Sequence, residues 1–278
     1  MSLPAHIPIR NAQPFAFIRY ARTVCKFLKI SFRQMSHYSS YEQYVMQVCD
    51  SNDLSSFKGN NVYRGMLEHV SPEIGHQYLQ AIQTYTDISL EEIDSFSRRN
   101  DSLGDPIKSD VKGLLLSPSN LRYIFHTHLI LNHLRSLALP QIDIVEVGGG
   151  YGGLCLALHH FAEKYSVKIN SYTIIDLTNP SRLQKLYLSK LSPSLQVNFV
   201  DASTFGEDIP MKDMFLISNY CFSEISDSLQ KEYIAKLFPK VSHGFMAWNW
   251  IPLYNFGFTV KEEIEFPKTG PYNKYLYF

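Results

Sequence analysis

Five glycines fall in six positions at Gly148, Gly149, Gly150, Gly152 and Gly153, between an apolar run (Ile144, Val145, Val147) and a helical one (Leu154, Leu156, Leu158, Phe161). Glycine adopts positive φ and lets a ligand approach the backbone without a Cβ in the way. The helix that follows offers unpaired N–H groups and the positive end of its dipole. The arrangement fits a bound nucleotide, and its neighbours bear on which one. The spacing Gly148-x-Gly150-x-x-Gly153 matches a dinucleotide fingerprint, so a nicotinamide or flavin enzyme is one candidate. Glu146, two residues before the first glycine, extends the motif to Glu-x-Gly-x-Gly-x-Gly through Gly152. A carboxylate there repels a pyrophosphate and suits a ligand carrying an ammonium and a sulfonium, which favours S-adenosylmethionine.

Three further positions carry chemistry. Asp176 ends the apolar run "YTIID" and is placed to accept both ribose hydroxyls of a nucleoside, or to cap the next helix. Asp201, closing "NFVD", with Ala202 beside it, suits the adenine, or is an ordinary loop carboxylate. "LISNYCFSEIS" puts Ser218, Asn219, Tyr220, Ser223 and Glu224 directly after a buried-looking run, where the reacting group lies in a doubly wound sheet. Glu224 is the first candidate for general base, with capping of the next helix as its other reading. Tyr220 is placed to orient an acceptor or face a sulfonium, and His126 is a reserve base. "YIAK" (233–236) has the Tyr-x-x-x-Lys spacing of an oxidoreductase but lies inside an amphipathic helical pattern. No Asp/Glu/His cluster commits the chain to a metal, and no Asn/Asp-Pro-Pro-Tyr tetrapeptide suggests methylation of nucleic-acid bases.

Positioning these residues requires strands that end together. After the glycines, strand-like runs at 171–177, 196–201, 214–220 and 243–250 alternate with helical ones. "FTVKEEIEF" and "NKYLYF" then read as two strands joined by a turn. The pattern predicts a doubly wound, mostly parallel α/β sheet ending in a hairpin. Residues 41–110 read as helices joined by polar turns, and "SPSNLRYIFHTHLILNHLRSL" as a helix capped by Ser117 or Ser119. Two regions are expected: a helical one over 1–110 and a nucleotide-binding one over 111–278.

The 278 residues, 45% hydrophobic and 14% aromatic, can bury a full core. Zero formal net charge argues against a nucleic-acid partner. Four scattered cysteines fit a reducing compartment, so the expected location is the cytoplasm. Residues 1–41 contain no Asp or Glu, and Arg19, Arg22, Lys26, Lys29 and Arg33 stripe one face of a helix against Phe17, Val24 and Phe27. Such a helix packs on protein or lies on an anionic membrane, so residues 15–33 are the candidate for peripheral membrane contact.

The segments "IVEVGGGYGGLCLAL", "YTIIDL", "LISNYCFSEIS" and "FPKTGPYNKYLYF" resemble the sugar O-methyltransferase family of class I S-adenosylmethionine-dependent enzymes. Upstream, "RNDSLGDP" and "SPSNLRYIFHTHLI" are similar to that family's motifs, so the resemblance runs from about residue 95 to the end of the chain. Asp105 stands where the family usually has Asn, and the basic segment has no counterpart. The resemblance implies a seven-stranded, Rossmann-like class I methyltransferase sheet with an N-terminal helical extension. It implies methyl transfer to a hydroxyl of a sugar or glycan. Cofactor contacts are then expected from Glu146, Gly148, Gly149, Gly150, Tyr151, Gly152, Asp176, Leu177, Asp201, Ala202, Ser218 and Asn219. An NAD(P)-dependent oxidoreductase and a non-catalytic nucleotide-binding scaffold are the alternatives.

Overall fold

The computed structural model describes residues 39–249 and 251–278; the basic segment at 15–33 lies outside them. Residues Glu42–Phe278 form one compact unit.

Local chemistry sets the helix starts. After α1 (39–51) and α2 (Asn61–Met66), α3 (Pro72–Tyr85) begins at Ser71, whose hydroxyl accepts from the Ile74 N–H, with proline in the first turn. α4 (Leu90–Asn100) opens with a reciprocal capping box between Ser89 and Glu92. A short hairpin of β1 (Ser109–Val111) and β2 (Leu114–Leu116) leads into α5 (Pro118–Ser136), capped by Ser117. α5 is nineteen residues long and mostly buried, and it delivers the chain into the first strand of the main sheet.

That sheet has seven strands in the order β5-β4-β3-β6-β7-β9-β8. β3 (Ile142–Val147), β4 (Ile169–Asp176), β5 (Asn198–Asp201), β6 (Met214–Asn219) and β7 (Val241–Trp248) are parallel. β9 (Lys274–Tyr277) inserts antiparallel between β7 and β8 (Lys261–Ile264). The expected terminal hairpin is therefore present, with its second strand inside the sheet. The helices α6 (Gly153–Phe161), α7 (Thr178–Leu191) and α8 (Asp227–Lys236) are the crossovers.

Alternation along the strands divides the core. Val145, Val147, Ile175, Leu216, Met246 and Trp248 pack on Phe222, Tyr233 and Phe238 on one face. The other face receives α5, whose His126 and His133 rings lie against Phe245, Phe215 and Tyr277. Tyr233 of "YIAK" belongs to the core, while Lys236 pairs with Glu207 and Glu232 at the surface, so the two make no acid–base pair.

Gly65, within α2, is exposed, and a Cβ there would meet nothing within 4 Å. Gly65→Ala is expected to leave stability unchanged or raise it by up to about 1 kcal/mol, read by urea unfolding. A loss of stability would mean that α2 is not the helix described.

Candidate cofactor and acceptor site

The strand order reverses between β3 and β6, and ligands of open α/β sheets bind beyond the carboxyl ends of the strands at such a point. The glycine run, Asp176, Asp201 and Asn219 all occur there, at the ends of β3, β4, β5 and β6. Three left-handed residues fold the loop: Gly148 (φ +81°), Gly150 (φ +58°) and Gly152 (φ +92°). Gly149 has no room for a side chain, because its Cβ would lie 2.7 Å from Ile174 Cγ2.

Asp176 holds the loop from the side. Its carboxylate accepts from the N–H groups of Gly149 (3.0 Å) and Leu177 (2.8 Å) and from Gln184 Nε2 (2.7 Å). Burial pushes its pKa up to about 6 against the pull of these bonds, so it is largely ionised at pH 7. Gln184 also donates to the Gly150 carbonyl (3.0 Å). Asp201 is exposed and accepts from the Ser203 N–H (2.9 Å) and Thr178 Oγ1 (3.0 Å); the Ser203 bonds hold it below the usual carboxylate range. It caps the short turn Ala202–Thr204, with Ala202 packed against the core beside it.

Glu146 takes a different part from the one its position suggests. It alternates with Val145 and Val147, so it lies on the α5–α6 face of the sheet, 2% exposed, accepting from the Tyr172 hydroxyl (2.8 Å). Burial pushes its pKa up to about 8, and near neutral pH it is largely protonated. The expected repulsion of a pyrophosphate by an ionised Glu146 therefore does not hold in this state of the protein. Ser218 is likewise committed internally: its hydroxyl donates to the Val147 carbonyl (2.9 Å) and accepts from the Phe222 N–H (3.0 Å). It ties the end of β6 to the end of β3.

Asn219 ends β6 and Tyr220 follows it. Asn219 donates through Nδ2 to His126 Nδ1 (3.1 Å), while its Oδ1 is buried with no partner among the described residues. Tyr220 is left-handed (φ +61°), a costly conformation for a bulky residue and one that concentrates at functional sites. Its N–H donates to the Ala247 carbonyl (2.7 Å), and its hydroxyl donates to Glu265. His126 is 1% exposed between Asn219 and Tyr275 Oη (3.4 Å). Accepting from the amide leaves its proton on Nε2. Burial drives its pKa down to about 3, so it stays neutral and is too weak a base for the reserve role given to it. Glu224 accepts from Asn249 Nδ2 (2.8 Å) and does not cap α8, whose N-cap is Ser226. Desolvation raises its pKa, partly offset by the Asn249 bond.

Tyr151 turns out of the crevice into a fully buried brace. Its hydroxyl accepts from Asn100 Nδ2 (3.0 Å), which also donates to Asn120 Oδ1 (2.5 Å). Lys58, also fully buried, donates to the Asn100 carbonyl (2.5 Å) and the Tyr187 hydroxyl (2.8 Å). Its Nζ lies 4.3 Å from the centre of the Tyr151 ring and 4.6 Å from that of Tyr187. The motifs "RNDSLGDP" and "SPSNLRY" thus meet at the back of the glycine loop. Lys58, Asn100, Arg122, Gln184, Asn249 and Glu265 went unread in the sequence as site residues. Their roles appear only once distant segments pack.

A surface hollow of about 760 Å³ lies elsewhere, between the end of α3, α5 and β8, lined by His128, Arg135, Tyr165 and Phe266. Among the described residues no three His, Cys, Asp or Glu side chains gather as a metal site, and no helix is long and apolar enough to cross a membrane.

Strand order and the placing of the inserted antiparallel strand define the class: a Rossmann-like, seven-stranded class I methyltransferase fold. No protein-family model matches the chain, and no curated protein matches it in sequence. Among solved structures it is similar to an S-adenosylmethionine-dependent methyltransferase from Aquifex aeolicus, with 16% identity over 56% of this chain and 89% of that one (TM-score 0.40). It is also similar to TrmK of M. capricolum in complex with S-adenosyl-homocysteine, with 12% identity over 53% of this chain and 66% of that one (TM-score 0.38). A third, PKMT2 from Rickettsia typhi in complex with AdoHcy, shares 21% identity over 47% of this chain and 26% of that one (TM-score 0.35). These likenesses concern the fold alone.

Proposed function

We propose that this chain is an S-adenosylmethionine-dependent O-methyltransferase whose acceptor is a hydroxyl of a sugar or glycan. The observation that carries the reading is the convergence at the strand-order reversal of a three-turn glycine loop, two strand-end carboxylates and the unpartnered Asn219 Oδ1. The residues fit such a cofactor. Gly148, Gly149, Gly150 and Gly152 would hold its amino-acid end, with Tyr151 bracing the loop from behind. Asp176 beside Leu177 would take the ribose, and Asp201 with Ala202 the adenine. The partner-free amide oxygen of Asn219 suits an ammonium donor. Bound, the cofactor supplies a methyl group on a positively charged sulfur.

The chain's own work is to place the acceptor and remove its proton. Glu224, raised in pKa and held by Asn249 in the loop after β6, is the candidate base. Tyr220, fixed by its backbone bond and by Glu265, is the candidate for orienting the acceptor.

Calorimetric titration with S-adenosylhomocysteine, run beside NADH, tests the cofactor. Micromolar binding of the former without the latter is expected; the reverse would replace this reading with an oxidoreductase. Once an acceptor is found, turnover should fall with acidification through a pKa above the ordinary glutamate value of 4.5, since a base must be ionised to act. Glu224→Gln should remove that limb of the pH profile while leaving S-adenosylhomocysteine affinity unchanged. An unaltered limb would assign the base elsewhere.

A further inference from the structure

Arg122 lies in the first turns of α5, at the end of that helix nearest the carboxyl ends of the strands, one turn before His126 on the same face. It is 8% exposed, and its guanidinium donates to the Leu67 carbonyl (2.9 Å). No carboxylate of the described residues comes within 4.0 Å of it, and residues 1–38 contain no Asp or Glu. Tyr123, Tyr78, Tyr220 and Glu68 favour its charge, with the Tyr123 ring centre 5.9 Å away and the Glu68 carboxylate accepting from the Ser117 hydroxyl (2.8 Å). A buried cation without an ion partner is costly and rare.

Two other buried polar groups share its unfinished state. The Tyr78 hydroxyl is wholly buried and makes no well-formed hydrogen bond, although it faces those of Tyr220 and Tyr275. Asn219 Oδ1 is unpartnered at the end of β6. Leu67, whose carbonyl Arg122 holds, is also the residue that a Cβ on Gly150 would meet first, at 3.4 Å. Arg122 therefore stands between the glycine loop and the Tyr220 end of the crevice.

We propose that Arg122 is the receptor for a carboxylate brought into this crevice. A planar guanidinium with donors to spare matches a carboxylate through two parallel N–H···O bonds. That carboxylate belongs either to the amino-acid end of the cofactor or to an acidic sugar acceptor, and the inference rests on the methyltransferase reading for those two sources.

The test compares wild type with Arg122→Met and Arg122→Lys by calorimetry. The probes are S-adenosylhomocysteine, 5′-methylthioadenosine (the same thionucleoside with a methyl in place of the whole amino-acid arm), and glucuronate against glucose on S-adenosylhomocysteine-loaded protein. If the cofactor supplies the anion, Arg122→Met weakens S-adenosylhomocysteine by about 30-fold or more and leaves methylthioadenosine within about twofold. If the acceptor supplies it, both nucleosides bind as before and a glucuronate affinity absent for glucose is lost. Should Arg122→Met fail to fold, Arg122→Lys keeps the charge without the fork. It should weaken the same ligand about tenfold. A variant that binds all four probes as wild type does overturns the proposal. Wild type that binds neither nucleoside overturns the methyltransferase reading instead, and glucuronate binding by unloaded protein then decides for or against Arg122.

Discussion

Gly148→Ala is expected to destabilise the protein by about 2–5 kcal/mol and to weaken S-adenosylhomocysteine on the order of 100-fold. Two causes add. The residue sits at φ +81°, where a Cβ is strained. That Cβ would also lie 2.4 Å from Cys221 Sγ and 2.5 Å from Cys221 Cβ, so the loop after β6 blocks it. Cys221→Ala cannot relieve the clash, because the Cβ remains. Pairing Gly148→Ala with Cys221→Gly removes the contact but not the backbone strain, and should restore part of the stability. Urea unfolding and calorimetry on the single and double variants separate the two causes. Unchanged affinity in Gly148→Ala would mean that the glycine loop is not the ligand's seat.

Lys58 gives the second large effect. Burial lowers its pKa from 10.5 to about 8, with Glu68 and Asp101 partly opposing. Between those values the unfolded chain holds a proton that the folded one has lost, so the Lys58 contribution to stability rises with pH across that window. From pH 7 to 9.5 that contribution grows by about 2 kcal/mol, while Glu146 and the buried thiols of Cys155 and Cys221, all raised in pKa by folding, act in the opposite direction. Lys58→Met keeps the stem's volume, and the Asn100 carbonyl still accepts from the Tyr187 hydroxyl (2.7 Å). Its urea-unfolding stability should lack this contribution, so the difference between wild type and variant should rise by about 2 kcal/mol over the same range. A difference between wild type and variant that stays constant over that range would show that Lys58 is not held as a buried, desolvated amine.

The sheet is legible in the sequence because its strands are apolar runs separated by amphipathic helices and turns. "MFLISNY" and "HGFMAWNW" read as strands and are β6 and β7. α4 is obscured by its acidic and basic residues, "LEEIDSFSRRN", and β1 and β2 are three residues each, too short for any period to show. At the site, the glycine run is visible because backbone geometry demands that residue type. Asp176 and Asn219 are visible because strand ends are. Glu146 is found in the right place with the wrong surroundings. Alternation sets it on the face opposite Val145, but the hydroxyl that engages it comes from Tyr172 on the neighbouring strand. Lys58 and Tyr187 lie 129 positions apart and Tyr220 and Glu265 lie 45 apart, and no local pattern records such meetings.

The place of β9 dictates an order of assembly. β8 leaves the ribosome first, yet its neighbour in the sheet is β9, which also covers the outer edge of β7. Until residues 274–277 insert, neither of those edges can be satisfied, whereas β3, β4, β5 and β6 already have one another. The same insertion delivers Tyr275 to His126 and closes the turn in which Asn273 accepts from the Glu265 N–H (3.1 Å). The half of the crevice built on β3 to β5 can thus form while synthesis continues, and the half around Tyr220 matures with the final strand.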